Sequence, residues 1–162
     1  MGFPQGSASG LRINPNRLQE NLERLSVYGR PEGGTFEDGV TRDAFSDACV
    51  AGPNYAMQLM RGFGMEPHVD PASNIFGSRA GSDQSLKPIL FGSHIDSVPS
   101  GGNFDGDLGS MSAIQLMHTL KEHGVTTRHP LQRVIWTDEE NTFAGSGSAV
   151  YFVSQRQARI NC

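Results

Sequence analysis

The chain has 162 residues, which is enough for one domain of ordinary size. Its 17 acidic residues outnumber its 13 lysines and arginines, and a net charge of −4 argues against a nucleic-acid-binding module, which normally carries a basic face. The longest purely apolar run, Ala149 to Val153, is far shorter than the roughly 20 residues of a transmembrane helix. We therefore expect neither a nucleic acid nor a membrane as partner.

The sequence also predicts the compartment. The first residues contain no basic segment followed by an apolar stretch, so no secretory signal is visible. The two cysteines, Cys49 and Cys162, form neither a disulfide framework nor a CxxC motif. A cytoplasmic protein with reduced thiols is the expectation.

Two helices are predicted in the first part of the chain. Asn14 is a suitable N-cap for the first, and Pro15 suits its first position. The second covers about residues 47–61, where Pro53 is tolerable only within the first turn. The glycine- and serine-rich residues 1–10 are expected to be disordered.

The apolar pattern then changes from helical to extended. Four strands are predicted over residues 65–70, 74–78, 87–92 and 133–137, with a helix over 108–123. The first two strands form a hairpin, and the third is a continuous apolar run typical of a buried strand. Asp107 is the expected N-cap of the helix. Because a strand, a helix and a strand of these lengths form a parallel pair, the predicted fold class is α/β, with a parallel-containing sheet flanked by helices.

Acidic and imidazole side chains follow the ends of the last two strands and lie in the glycine-rich loop between them. The candidate residues are His94, Asp96, Asp105, Asp138, Glu139 and Glu140. Adjacent parallel strands lie about 4.8 Å apart, and ligands gather outside their carboxyl ends. We therefore expect most of these side chains to converge on one small volume, although Asp138 is equally well explained as a polar strand end.

Such a cluster predicts a metal site. One histidine and several carboxylates without basic neighbours repel one another unless a cation is bound. Imidazole combined with carboxylate suits zinc, manganese, cobalt or nickel rather than calcium. A carboxylate has two oxygens, so a single aspartate can bridge two ions.

The same region resembles a known family. The resemblance is carried by GSHIDSVPSGGNFDGDLGSMSAIQLMHTL (residues 92–120) and VIWTDEE (residues 134–140), with further agreement upstream. These motifs closely resemble the peptidase M20 superfamily and, within it, the hydantoinase/carbamoylase group of N-carbamoyl-L-amino-acid hydrolases, allantoate amidohydrolases and β-ureidopropionases. The resemblance implies a dinuclear metallohydrolase catalytic domain, partial here, over residues 11–148, followed by an atypical tail over 149–162.

The resemblance also implies roles for individual residues. It implies two divalent metal ions, Zn²⁺ or else Mn²⁺, Co²⁺ or Ni²⁺. His94 would ligate one ion, Asp105 would bridge both, and Glu140 would ligate the second. Glu139 would be the general base, and Asp96 would orient the imidazole of His94. A cis peptide bond directly after Asp105 is implied as well.

The implied activity is hydrolysis of a linear ureido or amide C–N bond in a small molecule, such as an N-carbamoyl-L-amino acid or allantoate. An M20-type aminopeptidase or aminoacylase with the same metal core is one alternative, and a non-catalytic fragment is another. The form GGNFDG favours the first interpretation, because peptidases of the superfamily typically place a different residue after the bridging aspartate.

The sequence departs from the family pattern after Glu140. The usual Gly-x-Arg-Phe is replaced by Asn141-Thr142-Phe143. The two further ligand histidines that the family implies, and its lid domain with the dimer contacts, have no match. We therefore expect residues 1–162 to be an N-terminal fragment of a homodimeric enzyme, and to lack hydrolase activity when taken alone.

Overall fold

The computed structural model describes residues 10–142. Within this range the elements follow one another as α1 Pro15–Ser26, a short 3-10 helix Phe36–Asp38, α2 Asp47–Gly62, β1 Pro67–Val69, β2 Ile75–Arg79, β3 Ile89–His94, α3 Asp107–Glu122 and β4 Leu131–Trp136. The predictions for residues 1–9 and for the tail 149–162 lie outside the described residues. No helix in the range 10–142 combines the length and the apolar character needed to cross a bilayer.

Helix α1 begins as predicted. The side chain of Asn14 accepts a hydrogen bond of 3.1 Å from the backbone N–H of Arg17, and Pro15 occupies the first helical position. The cap satisfies a backbone N–H that has no partner inside the helix, and the proline ring has the φ angle that the helix requires. Local sequence alone is therefore sufficient to start this helix.

Helix α2 also lies where it was predicted, with one correction. Ser46 caps it by accepting a 3.1 Å hydrogen bond from the N–H of Cys49. Pro53 is the seventh helical residue and lies in the second turn, so the expectation that it must stand within the first turn is wrong. The proline removes one backbone hydrogen bond, but Ala56 and Met60 beyond it are fully buried, and their packing stabilises the helix as a whole.

The four strands form one mixed sheet in the order β1-β2-β4-β3. β1 and β2 pair antiparallel as the predicted hairpin, β2 and β4 are antiparallel, and β3 and β4 are parallel. This arrangement confirms the predicted α/β class. The prediction that β3 is buried is wrong: Ile89 is 51% exposed, because β3 pairs with β4 only and forms an edge of the sheet in the described residues.

The main core joins all three helices to one face of the sheet. It contains Leu22 and Leu25 of α1, Ala56 and Met60 of α2, Met111, Ile114 and Met117 of α3, and Ile75, Leu131 and Ile135 of the strands. Burial of these side chains removes apolar surface from water, at about 25 cal/mol per Å². The packed helices hold the strand ends, and therefore the loops that follow them, in a defined place.

A buried arginine ties the loops of this region together. Arg42 is fully buried, and it donates hydrogen bonds to the carbonyl oxygens of Ile95 (2.6 Å), Leu25 (3.1 Å) and Tyr28 (2.9 Å), and to the carboxylate of Asp107. Asp107 is therefore not the N-cap of α3, as predicted, but its first residue. Its side chain turns inward to this ion pair, and burial raises its pKa to about 7 against the opposing effect of Arg42.

Candidate metal centre

The structure brings the predicted side chains together at the carboxyl ends of the parallel strands. Nε2 of His94 lies 3.6 Å from Oδ1 of Asp105 and 3.4 Å from Oε2 of Glu139. One potential ligand atom from each of His94, Asp105 and Glu140 lies within 4.8 Å of the other two. Residues that are up to 46 positions apart in sequence therefore share one small volume, as expected from the strand ends.

Asp96 holds both the imidazole and the acidic loop. Nδ1 of His94 lies 3.0 Å from the backbone oxygen of Asp96 and 3.6 Å from its Oδ1. Oδ2 of Asp96 accepts a 3.0 Å hydrogen bond from the backbone N–H of Glu140. The contact of Nδ1 with Asp96 leaves Nε2 as the ring nitrogen directed at the carboxylates, and Nε2 can bind a metal ion once its proton has been released.

The electrostatics of the cluster favour a cation. Burial by itself would lower the pKa of His94, but Asp96 and then Glu139 outweigh this effect and raise it to about 9. Burial raises the pKa of Glu140, and the charges of Asp105, Glu139 and Asp96 add to this effect while His94 opposes it. The acids thus repel one another and attract positive charge to the same point.

Gly106 allows the loop to approach the imidazole closely. Its φ of +65° lies in the left-handed region, and a Cβ atom at this position would lie 2.5 Å from Cε1 and Nδ1 of His94. The cis peptide expected after Asp105 is absent, since the described residues contain only trans peptide bonds. The left-handed conformation of Gly106 makes the turn that places Asp105 beside His94.

The donor set and its exposure suit a divalent ion. His94 is only 6% exposed, whereas the side chain of Asp105 is 80% exposed and that of Glu139 is 44% exposed, so the cluster is buried on one side and open to solvent on the other. One imidazole nitrogen and carboxylate oxygens are ligands of zinc and similar metals. Asp138, just before the two glutamates, is buried and has a left-handed φ of +54°.

An apolar cavity of about 210 Å³ borders the cluster, and the sequence did not predict it. Its walls include Met57 of α2, Ile75 of β2, Ile135 of β4 and Ile95 after β3, with Asp96 as a polar wall. These residues come from four separate parts of the chain, so no local pattern could have indicated the cavity.

The role of Arg42 beside the cluster was also not predicted from the sequence. Arg42 bonds to the carbonyl of Ile95 beside Asp96 and to Asp107 two residues after Asp105. The only available signal was its place within GVTRDAFSD (residues 39–47), one of the upstream segments that agree with the family. An arginine in a predicted loop is usually exposed, so its burial could not be read from the sequence.

The sheet and the His/Asp/Glu cluster define a metallohydrolase type of domain, and comparisons with known proteins identify its family. The model of Peptidase family M28 matches residues 74–162, more than half of the chain, and the chain belongs to this family. The family model that matches is that of M28, whereas the sequence motifs resembled the peptidase M20 superfamily. The hydantoinase/carbamoylase relatives that the motifs predicted are confirmed.

Three relatives illustrate the similarity. The chain is 37% identical over 128 residues to an N-carbamoyl-L-amino acid amidohydrolase from Geobacillus stearothermophilus, covering 79% of this chain and 30% of the relative. It is 30% identical over 149 residues to an allantoate amidohydrolase from Bacillus subtilis, covering 89% and 35%. A crystal structure of a hydantoinase/carbamoylase family amidase from Burkholderia ambifaria matches with a TM-score of 0.75 and 37% identity, covering 81% and 31%. The chain therefore spans about a third of the length of these relatives.

Proposed function

We propose that this chain supplies the metal-binding part of an amidohydrolase that cleaves a linear ureido or amide C–N bond in a small molecule, such as an N-carbamoyl-L-amino acid or allantoate. The observation that supports this most directly is the convergence of His94, Asp105 and Glu140, whose ligand atoms lie within 4.8 Å of one another. The names of the relatives supply the substrate class.

We assign the metal ligands from the imidazole and carboxylate groups that lie together in the cluster. His94 would hold one divalent ion through Nε2, Glu140 would hold a second, and Asp105 would bridge the two with its two carboxylate oxygens. Zinc, manganese, cobalt and nickel all suit these donors. When bound, such ions polarise a carbonyl group and lower the pKa of water towards neutrality. Asp96 keeps the imidazole oriented through Nδ1 and keeps the backbone of Glu140 in place.

We assign Glu139 as the general base. Its carboxylate lies 3.4 Å from Nε2 of His94 and its side chain is 44% exposed, so it can reach a water molecule and a substrate on the open side. It would accept a proton from the attacking water and then donate it to the leaving nitrogen. Glu140 is less suited to this role, because its backbone is held by Asp96 and its side chain belongs to the ligand cluster.

The proposal for the whole protein goes beyond residues 1–162. Two more ligand histidines and the groups that hold the substrate are expected in the part of the relatives that this chain does not span, together with the contacts of a cytoplasmic homodimer. Residues 1–162 alone would therefore bind metal without turnover, because catalysis needs the complete ligand set and a positioned substrate.

Metal binding to residues 1–162 tests the ligand assignment. Isothermal titration with Zn²⁺ and Mn²⁺ is expected to show binding that Glu140→Gln weakens strongly and Glu139→Gln leaves nearly unchanged. The two variants are a matched pair, because they remove the same charge from neighbouring residues. Equal weakening in both would show that the roles of the two glutamates are assigned wrongly.

A chimera tests the reaction. Residues 11–142 would replace the corresponding segment of the G. stearothermophilus relative, and ammonia release from N-carbamoyl amino acids and allantoate would be measured beside cleavage of dipeptides and N-acyl amino acids. We expect activity on the ureido substrates, and a loss of about 10²–10⁴-fold in the Glu139→Gln chimera with metal still bound. Cleavage of dipeptides or N-acyl amino acids alone would support an aminopeptidase or aminoacylase instead. An inactive chimera that folds and binds metal would indicate a non-catalytic segment.

A further inference from the structure

Arg133 is a buried cation without a counter-charge. It lies in the middle of β4 and is fully buried, its Nη1 is 3.0 Å from Sδ of Met60, and its Nε and Nη2 have no hydrogen-bond partner in the described residues. Burial lowers its pKa to about 9. An unpaired buried guanidinium is strongly unfavourable, so this position calls for an anion nearby.

Two further cations lie close to it. In the pairing of β2 with β4, Gly77 lies opposite Arg133, and Arg79 follows Gly77 by two residues. Paired residues, and residues two apart in a strand, share one face of a sheet. Arg79 and Arg133 therefore extend from the same face. Nη2 of Arg79 donates to the carbonyl of Val125, while its Nη1 is buried without a partner.

Lys121 of α3 is the third cation, and its Nζ donates to the carbonyl of Phe63. Among residues 10–142, no acidic side chain is paired with Arg79, Lys121 or Arg133.

A cavity of about 230 Å³ opens between these groups. Arg79 and Lys121 line it together with the apolar side chains of Phe63, Met65 and Met117. Met65 lies between the cavity and Arg133. A Cβ atom built at Gly77 would be 2.5 Å from Sδ of Met65 and 3.3 Å from Cγ of Arg133, so both side chains pack against Gly77. The side chain of Arg133 therefore begins close to Met65, although Arg133 does not itself line the cavity.

The acidic residues of this sequence cannot supply the missing charge. All 17 aspartates and glutamates lie within residues 10–142, where each has a described position, and none lies in residues 1–9 or 143–162. The cluster is therefore without an acidic partner in the described residues, and a bound anion would compensate its charge. The cavity has room for a group as small as phosphate or a carboxylate.

We propose that this cavity binds a small oxyanion, a phosphate or carboxylate group, with Arg79 and Lys121 as direct ligands and with the buried charge of Arg133 on the same face of the sheet. The site is separate from the metal centre. Arg79 pairs with Leu131, the first residue of β4, whereas His94 pairs with Trp136, the last, so the two sites lie at opposite ends of the sheet. Its existence does not depend on the proposed function.

Anion titrations of metal-free residues 1–162 test this proposal. Sodium phosphate and sodium acetate would each be titrated at constant ionic strength with chloride as the background ion, and binding would be followed by calorimetry and by Tm. We expect saturable binding of at least one anion, and the tighter one identifies the kind of oxyanion. Arg79→Gln and Lys121→Gln should each weaken binding by about tenfold or more, the effect of losing one charge-assisted hydrogen bond.

Two further variants separate the site from general charge effects. Arg128 is exposed and does not line the cavity, so Arg128→Gln should leave binding unchanged. Arg133→Met replaces the buried charge with an apolar side chain of similar length, and should raise Tm without anion while reducing the gain that the anion produces. The proposal is overturned if neither anion binds saturably, if Arg128→Gln weakens binding as much as Arg79→Gln, or if Arg79→Gln and Lys121→Gln leave binding unchanged.

Discussion

Replacing Arg42 with methionine tests whether one buried cation holds the loops that carry the candidate metal centre. The side chain is fully buried, makes three hydrogen bonds to carbonyl oxygens and pairs with the buried carboxylate of Asp107. Removing one partner of a buried ion pair leaves the other charge uncompensated and lowers the free energy of unfolding by about 3–5 kcal/mol. Domains are typically stable by only about 5–15 kcal/mol, so we expect Tm to fall on the order of 10 °C. Metal affinity should fall as well, because the carbonyl of Ile95 and the start of α3 lose their common anchor.

The assay combines urea unfolding and thermal melting with Zn²⁺ titration. Arg24→Met is the matched control, since Arg24 is exposed on α1 and its replacement should change the free energy of unfolding by no more than about 0.5 kcal/mol. The double variant Arg42→Met/Asp107→Leu removes both charges and should recover part of the loss. The reasoning is refuted if Arg42→Met lowers the free energy of unfolding no more than Arg24→Met does. It is also refuted if the losses of stability in Arg42→Met and Asp107→Leu simply add in the double variant.

Three further predictions concern the metal centre and the surface. Adding Zn²⁺ or Mn²⁺ should raise Tm in the parent chain but not in His94→Ala, and an equal gain in both would place the metal elsewhere. Gly106→Ala should lower the free energy of unfolding by about 1–2 kcal/mol, because alanine is strained in the left-handed backbone conformation of this residue. It should also weaken Zn²⁺ binding, because the new Cβ would meet the His94 ring, and an unchanged affinity would contradict this. The bidentate hydrogen bonds from Arg17 lower the pKa of Glu122 to about 2, so the stability they contribute is present above about pH 4.5 and is lost as the pH falls through about 2. Melting curves across this range should show a smaller decline of Tm in Glu122→Gln than in the parent, and identical declines would mean that the pair contributes nothing.

The elements that local sequence determines were predicted closely. Asn14 and Pro15 start α1, and Ser46 precedes an α2 that ends one residue beyond the predicted bound. Caps and prolines act within a few residues of the backbone, so their effect can be read without knowing the fold. The change from helical to extended apolar spacing likewise predicted the hairpin and the parallel pair.

The convergence of His94, Asp105 and Glu140 was also predictable, for a topological reason. Parallel strands joined by a helix end at the same edge of the sheet, so residues that follow two such strands must lie close together. The backbone geometry at Asp105 was not predictable in this way. The implied cis bond is absent, and a left-handed glycine makes the turn instead.

Tertiary structure alone decided which polar side chains are buried and what they contact. Asp107 has the position of a helix cap, yet it faces a buried arginine 65 residues earlier in the chain. β3 has the composition of a central strand, yet within residues 10–142 it lies at an edge of the sheet. Arg133 lies within β4, and only the arrangement of its neighbours shows that it has no counter-charge in the described residues. Periodicity and capping report what the chain does over a few residues, whereas the partners of a buried charge come from distant segments and depend on the whole packing arrangement.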